Sequence, residues 1–439
     1  MIKVLKFGGT SVGSAENMRK VALIVKREGA KITVLSAMSG TTDALVRIVK
    51  LAGKKGPLDP IEEELAMLSE KYTTCIENLL RSHKETALDR MNEALKTIRR
   101  EVSDFRGSVS ERIIIARGEL LTSAIFTYYL QELGMKAELL HAPGFMHTDG
   151  ESKVDTGLLK EKLSVLTAGD ADTYYITQGF ICSNASGEID NLGRGGSDYS
   201  AALMGAAIGA GEVQIWTDID GMHNNDPRFV ENTYPIRRMS FDEAAELAYF
   251  GAKILHPATI QPCKDQDIPV LLKNTMDPDA PGTTISHEED TQRDFHAVAA
   301  KDGITVIRIY STRMLMAYGF LRKVFEIFEE HKTPIDMITT SEVAVSLTID
   351  SDCHLDAIVR ELNALGTIEI ERNNTIVCIV GHMDHTQTGL AARIMESVAG
   401  VPIKMISYGA SHRSIAMLVE THYKKEILQS INDKLFIRC

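Results

Sequence analysis

Lys3-Val4-Leu5-Lys6-Phe7-Gly8-Gly9-Thr10-Ser11 reads as a strand that runs straight into a paired-glycine turn, with a helix pattern behind it. Two adjacent glycines let the backbone approach a bulky anion and aim N–H groups at it. Working outward, Ser14 is placed to cap a helix whose apolar face is Met18, Val21, Ala22 and Val25, with Gly29 as its stop. Lys31 to Leu35 is the next strand, and further strands are expected at Ala137–Leu140, Tyr174–Thr177, Val213–Trp216 and Pro269–Leu272. Ser240-Phe241-Asp242-Glu243 is a capping-box pattern that opens the helix leading to Gly251. Strands alternating with helices predict an α/β fold, a three-layer sandwich around a mostly parallel sheet. Residues 57–106 are polar and helical in period, a helical excursion from that sheet.

A second glycine loop, Gly193-Arg194-Gly195-Gly196-Ser197-Asp198, precedes the apolar helical run Ala201 to Ala210. Helix N-termini attract anions, Arg194 can grip a carboxylate bidentately, and Ser197 suits an N-cap. Asp198 reads either as a first-turn acid that favours the helix dipole or as the partner of Lys6. Two glycine-rich anion sites with a lysine and an arginine point to phosphoryl transfer onto a carboxylate-bearing substrate. The lysine precedes the glycines, so this is not the G-x-x-x-x-G-K-[ST] loop.

At 439 residues the chain predicts two or three domains. A net charge of −12 argues against nucleic acid and anionic membrane as partners. The six cysteines show no paired spacing, which favours reduced thiols in a cytoplasm. Neither a leader nor an apolar run long enough to span a bilayer is expected.

Residues 1–286 form the expected first domain, and the polar stretch around His287-Glu288-Glu289-Asp290, taken as 287–296, the expected linker. Beyond it Pro334-Ile335-Asp336-Met337-Ile338 recurs as Pro402-Ile403-Lys404-Met405-Ile406, and Gly319 finds a counterpart in Gly389. The repeat predicts two α+β units, 304–372 and 373–439. The second lacks a strand, which the orphan strand Ala297 to Lys301 (within 297–303) is expected to supply.

Lys6-Phe7-Gly8-Gly9-Thr10-Ser11-Val12 with Gly193–Asp198, Trp216-Thr217-Asp218, Asp226-Pro227-Arg228 and Phe250-Gly251-Ala252-Lys253-Ile254-Leu255-His256-Pro257 resembles the aspartokinases of the amino-acid kinase superfamily, monofunctional and lysine-sensitive. The C-terminal units resemble ferredoxin-like ACT domains. The resemblance implies ATP-dependent phosphorylation of the L-aspartate side chain to 4-phospho-L-aspartate, the step leading toward lysine, threonine and methionine. It implies Lys6 and Asp198 as catalytic residues, Asp198 orienting the lysine. It puts Ser36, Thr42, Glu119, Phe180, Arg194 and Ser197 around aspartate, and Lys6, Gly8, Gly9, Thr217, Asp218, His223, Arg228 and Lys253 around ATP. Glu119 would take the α-ammonium, although a helix-surface glutamate is ordinarily solvated. His223 stands where relatives carry tyrosine. Mg²⁺ comes with ATP, and no dedicated metal cluster is expected. Met314, Gly319, Phe320, Leu321, Asp336, Ser341 and Glu342 would form a lysine-binding regulatory site, with Ala317 a departure there. Each of Asp336 and Glu342 also reads as a plain surface-turn acid. A homodimer through the ACT units is implied, a tetramer being the alternative. The rival readings are another amino-acid kinase and a non-catalytic amino-acid sensor. No dehydrogenase unit is expected.

Overall fold

The first strand, β1 (Lys3–Phe7), has Val4, Leu5 and Phe7 fully buried, as a strand covered on both faces requires. In this computed structural model the described residues are all except 1, 55, 151–152, 171, 194, 252–256, 289–292, 312–317, 384–386 and 437–439. The chain divides into two units. The first comprises Met1–Met222, Arg237–Phe241 and Leu255–Glu289; the second comprises His223–Ile236, Asp242–Ile254 and Asp290–Cys439.

In the first unit the strands are β2 (Ile32–Leu35), β3 (Ala137–Leu139), β4 (Tyr174–Gln178), the hairpin β5 (Ile181–Ser183) and β6 (Ile189–Asn191), β7 (Glu212–Thr217), β8 (Arg238–Ser240), β9 (Val270–Asn274) and β10 (Thr283–Ser286). An eight-stranded sheet runs β3-β4-β2-β1-β7-β9-β10-β8. From β3 to β9 neighbouring strands are parallel, and β10 pairs antiparallel with β9 and parallel with β8. The first crossover helix, Ala15–Glu28, is capped by Ser14, whose Oγ accepts from the Asn17 N–H at 3.2 Å, and ends at Gly29 with φ +62°. The helical excursion is a pair, Asp59–Leu79 and Lys84–Ser103. Its Leu65, Leu68, Tyr72, Ile76, Met91 and Ile98 enter the same apolar cluster as Phe7 and Trp216. One expectation fails by length and composition: Ser108–Glu132 is as long and apolar as a membrane-crossing helix. In its apolar window 72% is buried inside the unit, so the core accounts for that apolarity.

The second unit adds β11 (Phe295–Tyr310), β12 (Ile338–Thr340), β13 (Ala344–Ile349), β14 (Thr367–Gly381), β15 (Met405–Ser407) and β16 (Ser414–Glu420) in the order β12-β13-β11-β14-β16-β15. The orphan strand and the first strand of the repeat are one continuous strand. Its early residues pair with the late half of β14 (Ala297 with Val380, Lys301 with Ile376) and its late residues with the early half (Ile307 with Ile370, Tyr310 with Thr367), with register shifts between. The strand begins at Phe295, inside the expected linker, because Phe295 is a buried core residue. Two apolar clusters form, one around Ile307, Val324, Phe328, Leu347 and Ile358 and one around Val298, Val377, Ile394, Met417 and Ile427. Gly319 (φ +81°) and Gly389 (φ +88°) open matching helices, Phe320–Glu330 and Leu390–Ser397, in the left-handed conformation that the repeat demands.

Two pieces of the expected first domain belong to this second unit. Val230 is buried in the cluster with Val377 and Ile427, and Asn224 and Asn225 donate to Asn432 Oδ1 and the Leu428 carbonyl, both at 2.9 Å. Residues 242–254 supply Glu243, which lies 2.7 Å from His296 with both side chains buried.

Candidate active site

The parallel strands β4, β2, β1, β7 and β9 finish along one edge of the sheet, where α/β folds gather ligands. Backbone bonds knit the loops there. The Gly8 N–H donates to the Trp216 carbonyl at 3.1 Å, Ser39 to Gly9 at 3.0 Å, Gly179 to Leu35 at 2.9 Å and Thr275 to Thr217 at 2.8 Å. A Cβ at Gly9 would lie 2.8 Å from the Ala37 carbonyl oxygen, so the turn and the loop after β2 meet only across a glycine. Gly8 is under no such constraint; its nearest side-chain neighbour would be Lys6 Nζ at 3.8 Å.

Lys6 points into this edge with its side chain 12% exposed, and its Nζ lies 2.6 Å from Asp198 Oδ1. That rules out a merely exposed strand-end lysine. Asp198 is in the first turn of the helix Gly196–Ile208. The N-cap of that helix is Gly195, in left-handed conformation, and Ser197 is not the cap the sequence suggested. Ser197 instead accepts a hydrogen bond from Ser36 Oγ at 3.0 Å, joining the second glycine loop to the loop after β2. A Cβ at Gly179 would come within 2.6 Å of the Ser197 side chain. Phe180 follows at φ +69°, a conformation that strains a non-glycine residue by about 1–3 kcal/mol. It is held there by its N–H on Ser200 Oγ at 3.0 Å and its carbonyl on the Leu192 N–H at 2.8 Å.

Glu119 is not a solvated helix-surface residue. Its helix, Arg117–Glu132, is buried on nearly every side, and Glu119 is 3% exposed. Oε1 accepts the Ala37 N–H at 3.4 Å, while Oε2 is buried without a hydrogen-bond partner. Burial pushes its pKa up to about 7, the bond from Ala37 opposing only in part. A buried carboxylate with one vacant oxygen calls for a cationic donor.

Thr42 and Asp43 are exposed on the first turn of the helix Thr41–Gly53, and the cap is Gly40 at φ +74°, so neither is the N-cap. The sequence reading missed what steadies this loop. Lys71 donates to the Ser39 carbonyl and, at 3.3 Å, to Thr41 Oγ1, which the Tyr72 hydroxyl also meets at 3.3 Å. Thr122 Oγ1 accepts the Met38 N–H at 3.1 Å. The signal for Lys71 and Tyr72 was adjacency in a polar segment, too common to single them out.

Thr217 and Asp218 end β7, where Thr217 Oγ1 donates to the Asp218 carboxylate at 3.0 Å and Asp218 is exposed. His223 and Arg228 belong to the second unit. His223 Nδ1 is 3.2 Å from Thr233 Oγ1. Arg228 folds back bidentately on Asp226, with bonds of 2.6–3.1 Å, so its guanidinium is engaged within its own turn. Arg194, Lys253, Met314 and Ala317 lie outside the described residues.

Of the regulatory candidates, Gly319 opens its helix, Phe320 is a core residue, Leu321 is exposed, and Ser341 and Glu342 occupy the exposed turn between β12 and β13. Asp336 is not a surface-turn acid. Its side chain is 2% exposed and lies 2.8 Å from Lys301 Nζ. Lys301 also pairs with Asp350 Oδ2 at 2.9 Å. Burial alone would depress the Lys301 ammonium, but the two carboxylates outweigh it and hold its pKa above the ordinary value. Among the described residues no group of three His, Cys, Asp or Glu side chains gathers as a metal site.

Residues 1–274 match the model of the amino acid kinase family, and residues 377–435 match an ACT domain. Aspartokinase 1, chloroplastic, of Arabidopsis thaliana is 34% identical over 99% of this chain and 80% of its own. Lysine-sensitive aspartokinase 3 of Escherichia coli is 33% identical over 99% of both chains. The E. coli aspartokinase III structure with aspartate and ADP, called the R-state, superposes over 100% of both chains at 32% identity with a TM-score of 0.89. Its complex with lysine and aspartate, the T-state, covers 99% of this chain and 100% of its own at 33% identity and a TM-score of 0.80.

Proposed function

The chain belongs to the aspartokinase family, and we propose that it transfers the γ-phosphoryl group of ATP to the side-chain carboxylate of L-aspartate, giving 4-phospho-L-aspartate and ADP. The observation that carries this is the Lys6–Asp198 pair at the edge where the glycine loops converge. An aspartate side chain is ionised at neutral pH, with a reference pKa near 3.9, so no general base is required. The difficulty is bringing two anions together. Lys6 neutralises charge on the transferring group and Asp198 pins the ammonium in place; positioning and electrostatics supply the catalysis.

Substrate selection follows from the same edge. The vacant Oε2 of Glu119 takes the α-ammonium. Arg194 takes a substrate carboxylate, and Ser36, Thr42, Phe180 and Ser197 complete the pocket. Gly8 and Gly9 approach the phosphates, and Thr217 and Asp218, at the end of β7, serve the nucleotide. Mg²⁺ would enter with ATP and would be held largely by phosphate oxygens and water, where it would neutralise phosphate charge; Asp218, exposed beside Thr217, is the carboxylate at hand. Residues 1–286, apart from the stretches 223–236 and 242–254 that belong to the second unit, act as the catalytic domain and the two ACT units as a lysine-responsive regulatory module. That regulation is supported by similarity to a lysine-sensitive enzyme solved with lysine. We assign the chain to the cytoplasm and to a homodimer formed through its ACT units.

The deciding experiment is ADP release with ATP and Mg²⁺, comparing L-aspartate with L-glutamate, each with and without L-lysine. Aspartate-dependent turnover suppressed by lysine supports the reading. Folded protein that binds ATP and turns over neither amino acid defeats it.

A further inference from the structure

The helical excursion reaches back to the edge of the sheet through Lys71, on the helix Asp59–Leu79. Its Nζ donates to the Ser39 carbonyl and, at 3.3 Å, to Thr41 Oγ1. Ser39 is bonded on its other side as well, its N–H donating to the Gly9 carbonyl at 3.0 Å. A single residue thus ties the first glycine turn to the excursion. The same loop carries Ser36, bonded to Ser197, and Thr42. Met38 is buried, but Ser39 and Gly40 are exposed, and a cavity of about 660 Å³ opens beside Gly13, Met38 and the Lys71 side chain. At Ser39 and Gly40 hydrogen bonds take the place of packing.

The charge on Lys71 separates it from an ordinary strut. Among the described residues it makes no ion pair. A Cβ at Gly40 would lie 4.0 Å from Nζ, so the ammonium sits at the N-terminus of the helix Thr41–Gly53, where the helix dipole is also positive. Asp43, the acid of that first turn, is exposed and does not pair with it. A neutral donor would make the same two bonds without that repulsion. What the ammonium adds is positive potential beside the loop that receives an anionic substrate.

Resting on the aspartate-kinase reading above, we infer that Lys71 is a positioning residue for aspartate: it straps the loop after β2 against the first glycine turn and holds a positive charge beside it, with no part in the phosphoryl transfer itself. Its loss falls on the KM for aspartate and spares kcat and the KM for ATP.

The test uses the full chain, with ADP release followed while aspartate and ATP are varied separately. Lys71→Met keeps the stem and removes the ammonium. It should raise the KM for aspartate about tenfold, the scale of a hydrogen bond from a charged group, and leave kcat and the KM for ATP within about twofold. Lys71→Arg, which keeps charge and donors, should restore the KM for aspartate to within about threefold of the unmodified protein. Thr41→Val should raise it about threefold alone and add nothing to Lys71→Met, because the two share one bond. An unchanged KM for aspartate in Lys71→Met overturns the inference. An equal rise in the KM for ATP, or additive effects of Lys71→Met and Thr41→Val, overturns the strap. Should Lys71→Met not fold, an unchanged KM for aspartate in Thr41→Val is enough to overturn it. If the unmodified protein itself shows no aspartate-dependent turnover, the kinase reading falls and this inference with it.

Discussion

Lys6–Asp198 in the first unit and Lys301–Asp336 in the second are both shielded lysine–aspartate pairs, and they differ in charge count more than in geometry. Lys6–Asp198 closes at 2.6 Å and Lys301–Asp336 at 2.8 Å, and all four side chains are largely shielded. The first is a balanced pair, so a phosphate that approaches Lys6 meets a cation already fixed in place. The second includes Asp350 and carries an excess negative charge, so its unmet demand is for a cation. The lesson is that the same ion pair favours an anionic or a cationic ligand according to which partner is in surplus.

The largest expected effect is on the balanced pair. Lys6→Met should lower kcat at least a thousandfold, about 4 kcal/mol of transition-state stabilisation, with the fold intact by circular dichroism; a loss under tenfold would break the comparison at its first member. Asp198→Asn keeps the shape and removes the charge that pins Lys6. It should lower kcat by roughly 10²-fold while the KM for aspartate changes little.

Glu119 sharpens the contrast through pH. Its carboxyl is raised to about 7 by burial, and an ammonium ligand requires the ionised form. Aspartate affinity should therefore fall as pH drops below about 7, by up to tenfold per unit, and Glu119→Gln should raise KM and flatten that profile. The stability sign is the reverse. A buried acid whose folded pKa is raised makes the ligand-free protein less stable as pH climbs from about 4.5 to about 7. Glu119→Gln should then raise the thermal midpoint of the ligand-free protein at pH 8. The smallest effect concerns the surplus charge: Asp350→Asn leaves Lys301 and Asp336 balanced and should weaken lysine binding roughly three- to tenfold, about 1 kcal/mol. Unchanged affinity would mean that charge surplus does not distinguish the two pairs.

Much of this was legible along the chain. The run from Lys3 to Ser11, the caps of the helix Ala15–Glu28 and the doubled Pro-Ile-x-Met-Ile motif are local signals, and each reports a local structure. Glu119 was legible in part. Its helix carries no charged residue between Glu119 and Glu132, which leaves it no charged solvent face, and a glutamate on such a helix is buried with it. Ser197 misled because glycine in the left-handed conformation competes for the cap and won at Gly195. Lys301 and Tyr249 carried no signal, since they meet Asp336 across 35 and 87 residues. Only the folded register brings them together.

Val230 and Glu243 belong to the second unit although they lie well before the linker in sequence. Anyone recombining genes of this family inherits that arrangement. A crossover placed between residues 287 and 296 would join a regulatory half to a catalytic half still carrying its former partner's core residues. Chimeras that exchange residues 223–254 together with the C-terminal region should express as folded protein where simple tail swaps do not.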